Sequence, residues 1–342
     1  MLVTGGAGFI GSNLVARLAA EGWHVTALDN LTRRGAGRNL DWLRAHGGAI
    51  AFVEADVRDA GAVESALDGA HVVYHLAGQT AVTTSVEDPR GDFESNALGT
   101  LNVLEAARSA ARAPVVVYAS SNKVYGGLED VAIVEQETRF EFADLPHGVD
   151  ESRPLEFHSP YACSKGAADG YVLDYHRMYG LPTVVFRQSC VYGERQLGAE
   201  EQGWVAWLLA AAAFGIPITV YGTGKQVRDL LHVDDVVDAY LLAAAAIGRT
   251  AGRAYNIGGG RGRTVSVWRE FAPLLQHVVG RPVEPPRFER ARPGDQRVFY
   301  CDTRRAERDF GWRPRVGVED GLRRLAGWVL ENRQLFVQHA AT

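Results

Sequence analysis

A tyrosine and a lysine four residues apart, Tyr161 and Lys165, stand in the run His158-Ser-Pro-Tyr-Ala-Cys-Ser-Lys-Gly-Ala-Ala-Asp169. Pro160 suits the first turn of a helix, where its missing N–H is no loss, and small and apolar residues follow it. On a helix the two side chains share a face. A phenol held beside an ammonium is a route to a base near neutral pH, because a neighbouring positive charge lowers a tyrosine pKa by roughly 1–3 units. A pair on the surface of an ordinary helix would have the same spacing. The chemistry therefore depends on what else the chain supplies.

A short apolar run, Met1–Thr4, leads into Gly5-Gly-Ala-Gly8-Phe9-Ile10-Gly11, after which Leu14, Val15 and Leu18 continue a helical spacing. Strand, glycine loop and helix in this order let the backbone turn tightly and approach a pyrophosphate at the helix N-terminus. A second strand, His24–Leu28, ends in Asp29-Asn30. An acid there accepts hydrogen bonds from both adenine-ribose hydroxyls and repels a 2′-phosphate, which favours NAD over NADP, although Arg33 and Arg34 follow closely. A third strand, Ile50–Glu54, leads to Asp56-Val57, placed to meet the adenine. A fourth, His71–Leu76, ends at Ala77-Gly78, whose small side chains let the cofactor pass. Asn96 falls on a helix predicted from about Asp92 to Arg112, the strand Val115–Ala119 delivers Ser120-Ser121, and Thr183–Phe186 reads as a sixth strand. The alternation predicts an α/β fold, a doubly wound parallel Rossmann sheet whose strand carboxyl ends line a ligand crevice.

From Arg187 the order of elements becomes irregular, which predicts a smaller mixed α/β substrate-binding domain. The expected division is 1–186 plus about 229–257 for the dinucleotide domain, and 187–228 plus 258–342 for the substrate domain. The long segment Asn122–Phe157 has no clean periodicity and is expected to hang over the substrate end. Arg228 and Arg292 are isolated arginines in loops; their planar forks suit a diphosphate, and a structural ion pair is the alternative. No formal charge falls between Glu201 and Lys225. Gly215 and Pro217 nevertheless break that stretch into a helix too short for a bilayer, so no membrane contact is expected. A net charge of −5 with no basic tail argues against nucleic acid. Three scattered cysteines read as free thiols, and no signal peptide precedes the glycine loop, so a cytoplasmic protein is expected. His71 and His75, on one strand face, read as structural rather than as metal ligands, and no metal is expected.

With the glycine loop, Asp29, Ser121 and Tyr161-x-x-x-Lys165 in order, the chain resembles the extended short-chain dehydrogenase/reductases, and among them the nucleotide-sugar epimerases and dehydratases. Several runs are similar to the branch that epimerises CDP-sugars at C2. They are Asp29–Gly35, His75–Ser85, Ser121–Gly126, His158–Asp169, Gln202–Val205, Gly224–Asp229 and Asp295–Phe299, spread over nearly the whole chain. Ser121 stands where that branch is expected to carry Thr, and the first strand begins a residue or two later.

The resemblance implies tightly bound NAD regenerated in each turnover, Tyr161 as base, Lys165 on the nicotinamide ribose and Ser121 on the reacting hydroxyl. It also implies substrate contacts at Gln79, Thr84, Asn122, Lys123, Gln188, Ser189, Gln226, Arg228, Arg292 and Asp295, and a homodimer or homotetramer. The expected reaction is inversion at C2 of a CDP-hexose through a keto-sugar. Epimerisation of a UDP- or other nucleotide sugar at C4 would use the same trio. Related dehydratases carry Asp-Glu directly after the catalytic Thr, where this chain has Asn122-Lys123. A non-catalytic NAD-binding protein of this fold would be expected to lose Tyr161 or Lys165.

Overall fold

The computed structural model describes residues 1–200, 202–292 and 295–337. Seven parallel strands form its main sheet, in the spatial order Ile50–Glu54, Val25–Asp29, Leu2–Thr4, Val72–His75, Val115–Ser121, Thr183–Gln188, Arg253–Ile257. Alternate strand residues feed opposite faces. Val3 and Val117 pack beneath the helices Phe9–Ala20, Val233–Ala245 and Arg304–Phe310. Leu2, Val116 and Tyr118 pack beneath Ala60–Leu67, Gly99–Ser109 and Pro160–Tyr179. Burial on both faces explains the unbroken apolar runs in the central strands. The strand order reverses between Leu2–Thr4 and Val72–His75, so a crevice opens at the carboxyl ends there.

Two elements differ from the sequence reading in ways that matter. The fifth strand runs two residues further, pairing Ser120 with Arg187 and Ser121 with Gln188. Both serines are therefore fixed in the sheet rather than carried on a loop. The helix predicted over 92–112 is three pieces, a helix Pro89–Phe93, a π turn Glu94–Leu98 and a helix Gly99–Ser109. The wide turn carries Asn96, and such turns gather at functional positions.

The segment after Ser121 has structure of its own. It opens with a 3₁₀ turn at Asn122–Val124 and contains the hairpin Ile133–Glu135 with Phe140–Phe142. Beyond Gln188 a second core forms around Leu209, Phe271, Leu275, Leu322 and Leu325, from the helices Trp204–Phe214, Phe271–Val279 and Val318–Glu331. A four-stranded sheet of Cys190–Tyr192, Val227–His232, Thr264–Ser266 and Val298–Phe299 borders it. Trp204–Phe214 is apolar all round because this core encloses it, and among the described residues no helix is long and apolar enough to cross a membrane.

One buried ion pair ties these parts together. Asp169, on the helix that carries Tyr161 and Lys165, accepts from Arg187 Nε at 2.9 Å and from a second guanidinium nitrogen at 3.0 Å. Ser120 Oγ donates to the same carboxylate at 2.9 Å, and Arg187 donates to Tyr125 Oη at 3.1 Å. Removing one partner of such a pair leaves an uncompensated buried charge. Arg187→Leu is therefore expected to destabilise the protein by about 3–5 kcal/mol in urea unfolding, and Asp169→Asn added to it should recover a large part of the loss.

Candidate active site

The glycine loop is built for close approach. A Cβ at Gly5 would stand 2.8 Å from Ala77 N, and one at Gly11 would stand 2.0 Å from Gly5 O. Gly8 is the N-cap of Phe9–Ala20 and provides no capping side chain, so the first-turn amides are free for a pyrophosphate. Asp29 Oδ2 accepts from Ala7 N at 3.0 Å and Oδ1 from Leu31 N at 2.9 Å. Those bonds fix the carboxylate at the cleft wall. Asn30 donates to Asp56 at 2.7 Å, and Arg58 grips both oxygens of the same carboxylate, holding Asp56 down at a pKa of about 2. Val57 packs against the position where a Cβ of Gly99 would be.

These residues line one continuous cleft of about 1140 Å³, which passes Leu76, Ala77, Gly78 and Ser120 to Tyr161, Lys165 and Ser121 and on into the cap. That volume exceeds the roughly 300–1,000 Å³ of a single small-molecule pocket. Asn96 stands behind the cleft wall. Its amide donates to Asp92 and Ser164, both at 3.1 Å, and a Cβ at Gly78 would meet its Oδ1 at 2.4 Å. His75 lies fully buried between the hydroxyls of Thr4 and Thr100, and burial lowers its pKa to about 3, so it is a neutral structural residue.

Ser159 caps the helix Pro160–Tyr179 by accepting from Ala162 N at 3.1 Å, which sets Tyr161 in the first turn. Burial raises the Tyr161 phenol above its ordinary value; Ser121 opposes that rise, Asp92 adds to it and Arg33 opposes it. The lowering expected from Lys165 is not there. Its ammonium donates to the carbonyl of Ala119 at 3.0 Å and stands 5.1 Å from the Tyr118 ring centroid. Burial lowers Lys165 itself to about 8, with Asp92 opposing. Ser121 Oγ accepts from Lys123 N at 3.2 Å, which orients the hydroxyl beside Tyr161.

On the cap side, Gln79, Asn122, Lys123, Gln188, Ser189, Arg228, Arg292 and Asp295 all line the cleft. Asp295 accepts from Arg228 at 2.6 Å and lies 3.6 Å from Lys123 Nζ. Arg292 stacks 4.0 Å from the Tyr221 ring centroid. Ser189 donates to the buried carboxylate of Asp229, and Gln188 to Tyr240 Oη. Two expected substrate residues lie elsewhere. Gln226 braces a turn by donating to Tyr221 O at 2.7 Å, and Thr84 faces an adjoining hollow with Arg34 and Ala199. Its neighbour Thr83 lines both that hollow and the cleft.

The NAD dependent epimerase/dehydratase family matches residues 1–258. The chain belongs to this family. It is 43% identical to the CDP-paratose 2-epimerase of Salmonella typhi, over 96% of this chain and 98% of that protein. Among solved structures it is similar to the Thermus thermophilus UDP-glucose 4-epimerase in complex with NAD, with a TM-score of 0.80 and 34% identity over 97% of this chain and 99% of that one. It is also similar to a dTDP-glucose 4,6-dehydratase of Streptomyces venezuelae with NAD bound, with a TM-score of 0.83 and 32% identity over 98% of each chain.

NAD is the cofactor of this family member, and the uncapped helix end, the glycine cradle and Asp29 fit it. Several further cleft residues were not legible from spacing. Arg195, Gln196, Glu200, Gln202, Trp204, Trp207 and Tyr221 line the cap side. Most follow the strand Cys190–Tyr192, so the rule that ligands meet strand carboxyl ends points to them once that strand is known. Gln196, Gln202 and Trp207 each have a buried polar atom without a partner among the described residues. Such atoms in a cleft are groups left for a ligand.

The charged Lys165 weighs against folding below about pH 8, where it is protonated in a site that disfavours the charge, and this burden lifts as the pH rises from there towards 10.5. A shift of that size corresponds to about 3 kcal/mol, and the partner lost to Ala119 O returns about 1 kcal/mol. Lys165→Met is therefore expected to stabilise the NAD-free protein by about 2 kcal/mol at pH 7 in urea unfolding, with the gain shrinking above pH 8.

Proposed function

We propose that this chain epimerises a CDP-hexose at C2, of the CDP-paratose to CDP-tyvelose or CDP-glucose type, through a transient keto-sugar. The similarity to a CDP-paratose 2-epimerase extends through the cap, where the nucleotide and sugar are expected to lie. NAD supplies the acceptor and then the donor of the hydride at the sugar carbon. Tyr161 takes the proton from the reacting hydroxyl and returns it after the ketone has presented its other face. Ser121 holds that oxygen during both transfers, and Lys165 holds the nicotinamide ribose. Arg228 and Arg292 anchor the diphosphate so that the ketone turns without leaving. Self-association as a homodimer or homotetramer fits the exposed Phe93, Tyr171, Met178 and Tyr179 on the outer helices.

One observation favours epimerisation over dehydration. Expelling a hydroxyl after oxidation requires an acid that can donate to it. The positions after Ser121 hold an amide and an ammonium, Asn122 and Lys123. Burial raises the nearby Asp295 carboxyl, but Arg228 and Lys123 together bring it below its usual value, so it stays ionised.

Purified protein given CDP-, UDP- and dTDP-hexoses is expected to convert the CDP-sugar to its C2 epimer. Conversion of a UDP-sugar at C4 alone would replace this reading. In D₂O the product should carry no solvent deuterium at C2; deuterium there would mean oxidation at C3 and enolisation instead. Tyr161→Phe is expected to retain NAD while turnover falls by about a hundred- to ten-thousandfold.

A further inference from the structure

Arg195 combines features that no role described above accounts for. Among the described residues it is one of three non-glycine residues with positive φ, at 70°, a conformation that disfavours a side chain with a Cβ. Asn39 helps hold it there, donating to the carbonyls of Arg195 at 3.4 Å and Ala7 at 3.1 Å. The guanidinium stacks 4.0 Å from the Trp42 ring centroid and donates to Asn13 Oδ1. Both partners are neutral. The adjacent Glu194 pairs instead with His232 at 3.2 Å and Arg324 at 3.1 Å. Arg195 Nε is buried without a partner among the described residues, and burial lowers the pKa of the guanidinium. Glu194 and Asp234 act on this half-buried guanidinium only through space, and among the described residues no carboxylate bonds to it; such a group suits an anion.

The surroundings say which anion. Asn13 and Trp42 belong to the first two helices of the dinucleotide body, and Asn39 ties the Arg195 backbone to Ala7 in the glycine loop. Asn13 also donates to Phe9 O at 2.8 Å, so the arginine's main polar contact lies one turn from the uncapped helix end. That end offers roughly half a positive charge, too little to balance a pyrophosphate. The arginines on the substrate side, Arg228 and Arg292, are held by Asp295 and Tyr221 in the cap. We propose that Arg195 is a cofactor-binding residue, whose guanidinium reaches across from the cap side of the cleft to the diphosphate of NAD at the glycine loop. Trp42 and Asn13 hold the planar group in place beforehand, so little ordering accompanies binding. A residue from beyond the main sheet would then close the cofactor in. The proposal rests on NAD as cofactor and holds whichever nucleotide sugar is turned over.

The test is NAD affinity of NAD-stripped protein by calorimetry, with thermal unfolding of the same stripped samples. Arg195→Met is expected to bind NAD about ten- to hundredfold more weakly. Arg195→Lys should fall between it and the wild type, since an ammonium keeps the charge without the fork. Arg195→Gly relieves the left-handed backbone, so its stripped form should unfold no earlier than wild type while binding NAD as weakly as the Met variant. NAD affinity within twofold of wild type in the Gly and Lys variants overturns the proposal. Unchanged NAD affinity with weakened CDP-sugar binding overturns it too, and assigns the arginine to the substrate diphosphate.

Discussion

A carboxylate and a guanidinium buried together set the geometry on which this protein depends. Asp169 sits one helical turn beyond Lys165, and Arg187 is the last residue but one of the strand Thr183–Gln188, whose end, Gln188, lines the cleft with the following Ser189. Ser120, bonded to the same carboxylate, precedes Ser121. Tyr125, bonded to the same guanidinium, follows Asn122 and Lys123 and donates to Asn256 at 2.8 Å. Four cleft-lining segments therefore radiate from one ion pair. Each guanidinium nitrogen and each carboxylate oxygen of the pair has a hydrogen-bond partner, the condition under which a buried charge is tolerated. An apolar pair of equal volume could fill the space but would not specify the relative rotation of helix and strands, and that rotation sets the distance between Tyr161 and Ser121.

The electrostatics of Tyr161, the proposed base, follow from how deeply this arrangement buries it. Burial works against the phenolate at Tyr161 and against the ammonium at Lys165 alike. A low-dielectric site magnifies whatever charge is introduced into it. The protein's own groups leave the phenol protonated at neutral pH, so in the proposed mechanism the positive charge that favours the phenolate is the cofactor's. Lys165 then serves better as a fixed donor than as a remote field. Its anchor, the carbonyl of Ala119, is two residues before Ser121 on the same strand, so the ammonium and the hydroxyl share one rigid support.

Much of this was legible in the sequence because it rests on local rules. Gly5, Gly8 and Gly11 are required where backbone meets backbone, and Pro160 marks the start of the helix that carries Tyr161. Strand carboxyl ends pointed to Asp29, Gly78 and Ser121. What was not legible depends on contacts between distant segments. Gln226 carries the amide of a binding residue, yet its bond to Tyr221 O turns it into a turn brace. Asn96 was placed on a regular helix, and the π turn at Glu94–Leu98 puts it behind the wall instead. Spacing i,i+4 states that Tyr161 and Lys165 share a face, not where each polar end goes. The ammonium had a carbonyl within reach, and it took that.

The same distinction separates what the two ends of the cleft can do. At the cofactor end the polar groups come from backbone amides and short side chains fixed in the sheet, which tolerate little change without loss of the fold. At the cap end they come from long side chains already engaged with one another. Asp295 bridges Arg228 and Lys123, and Arg292 lies on Tyr221, whose hydroxyl donates to Glu200 at 2.7 Å. A substrate diphosphate bound as proposed competes with Asp295 for the Arg228 guanidinium, so its binding would be a rearrangement of an existing network rather than the filling of a bare positive site. That competition lowers affinity for any anion that cannot also satisfy the displaced carboxylate, and a sugar hydroxyl can do so by donating to it. On the proposed substrate site, selection among nucleotide sugars follows from the pairing of Asp295 as much as from the arginines, and a substitution there alters preference while leaving Tyr161, Lys165 and Ser121 untouched.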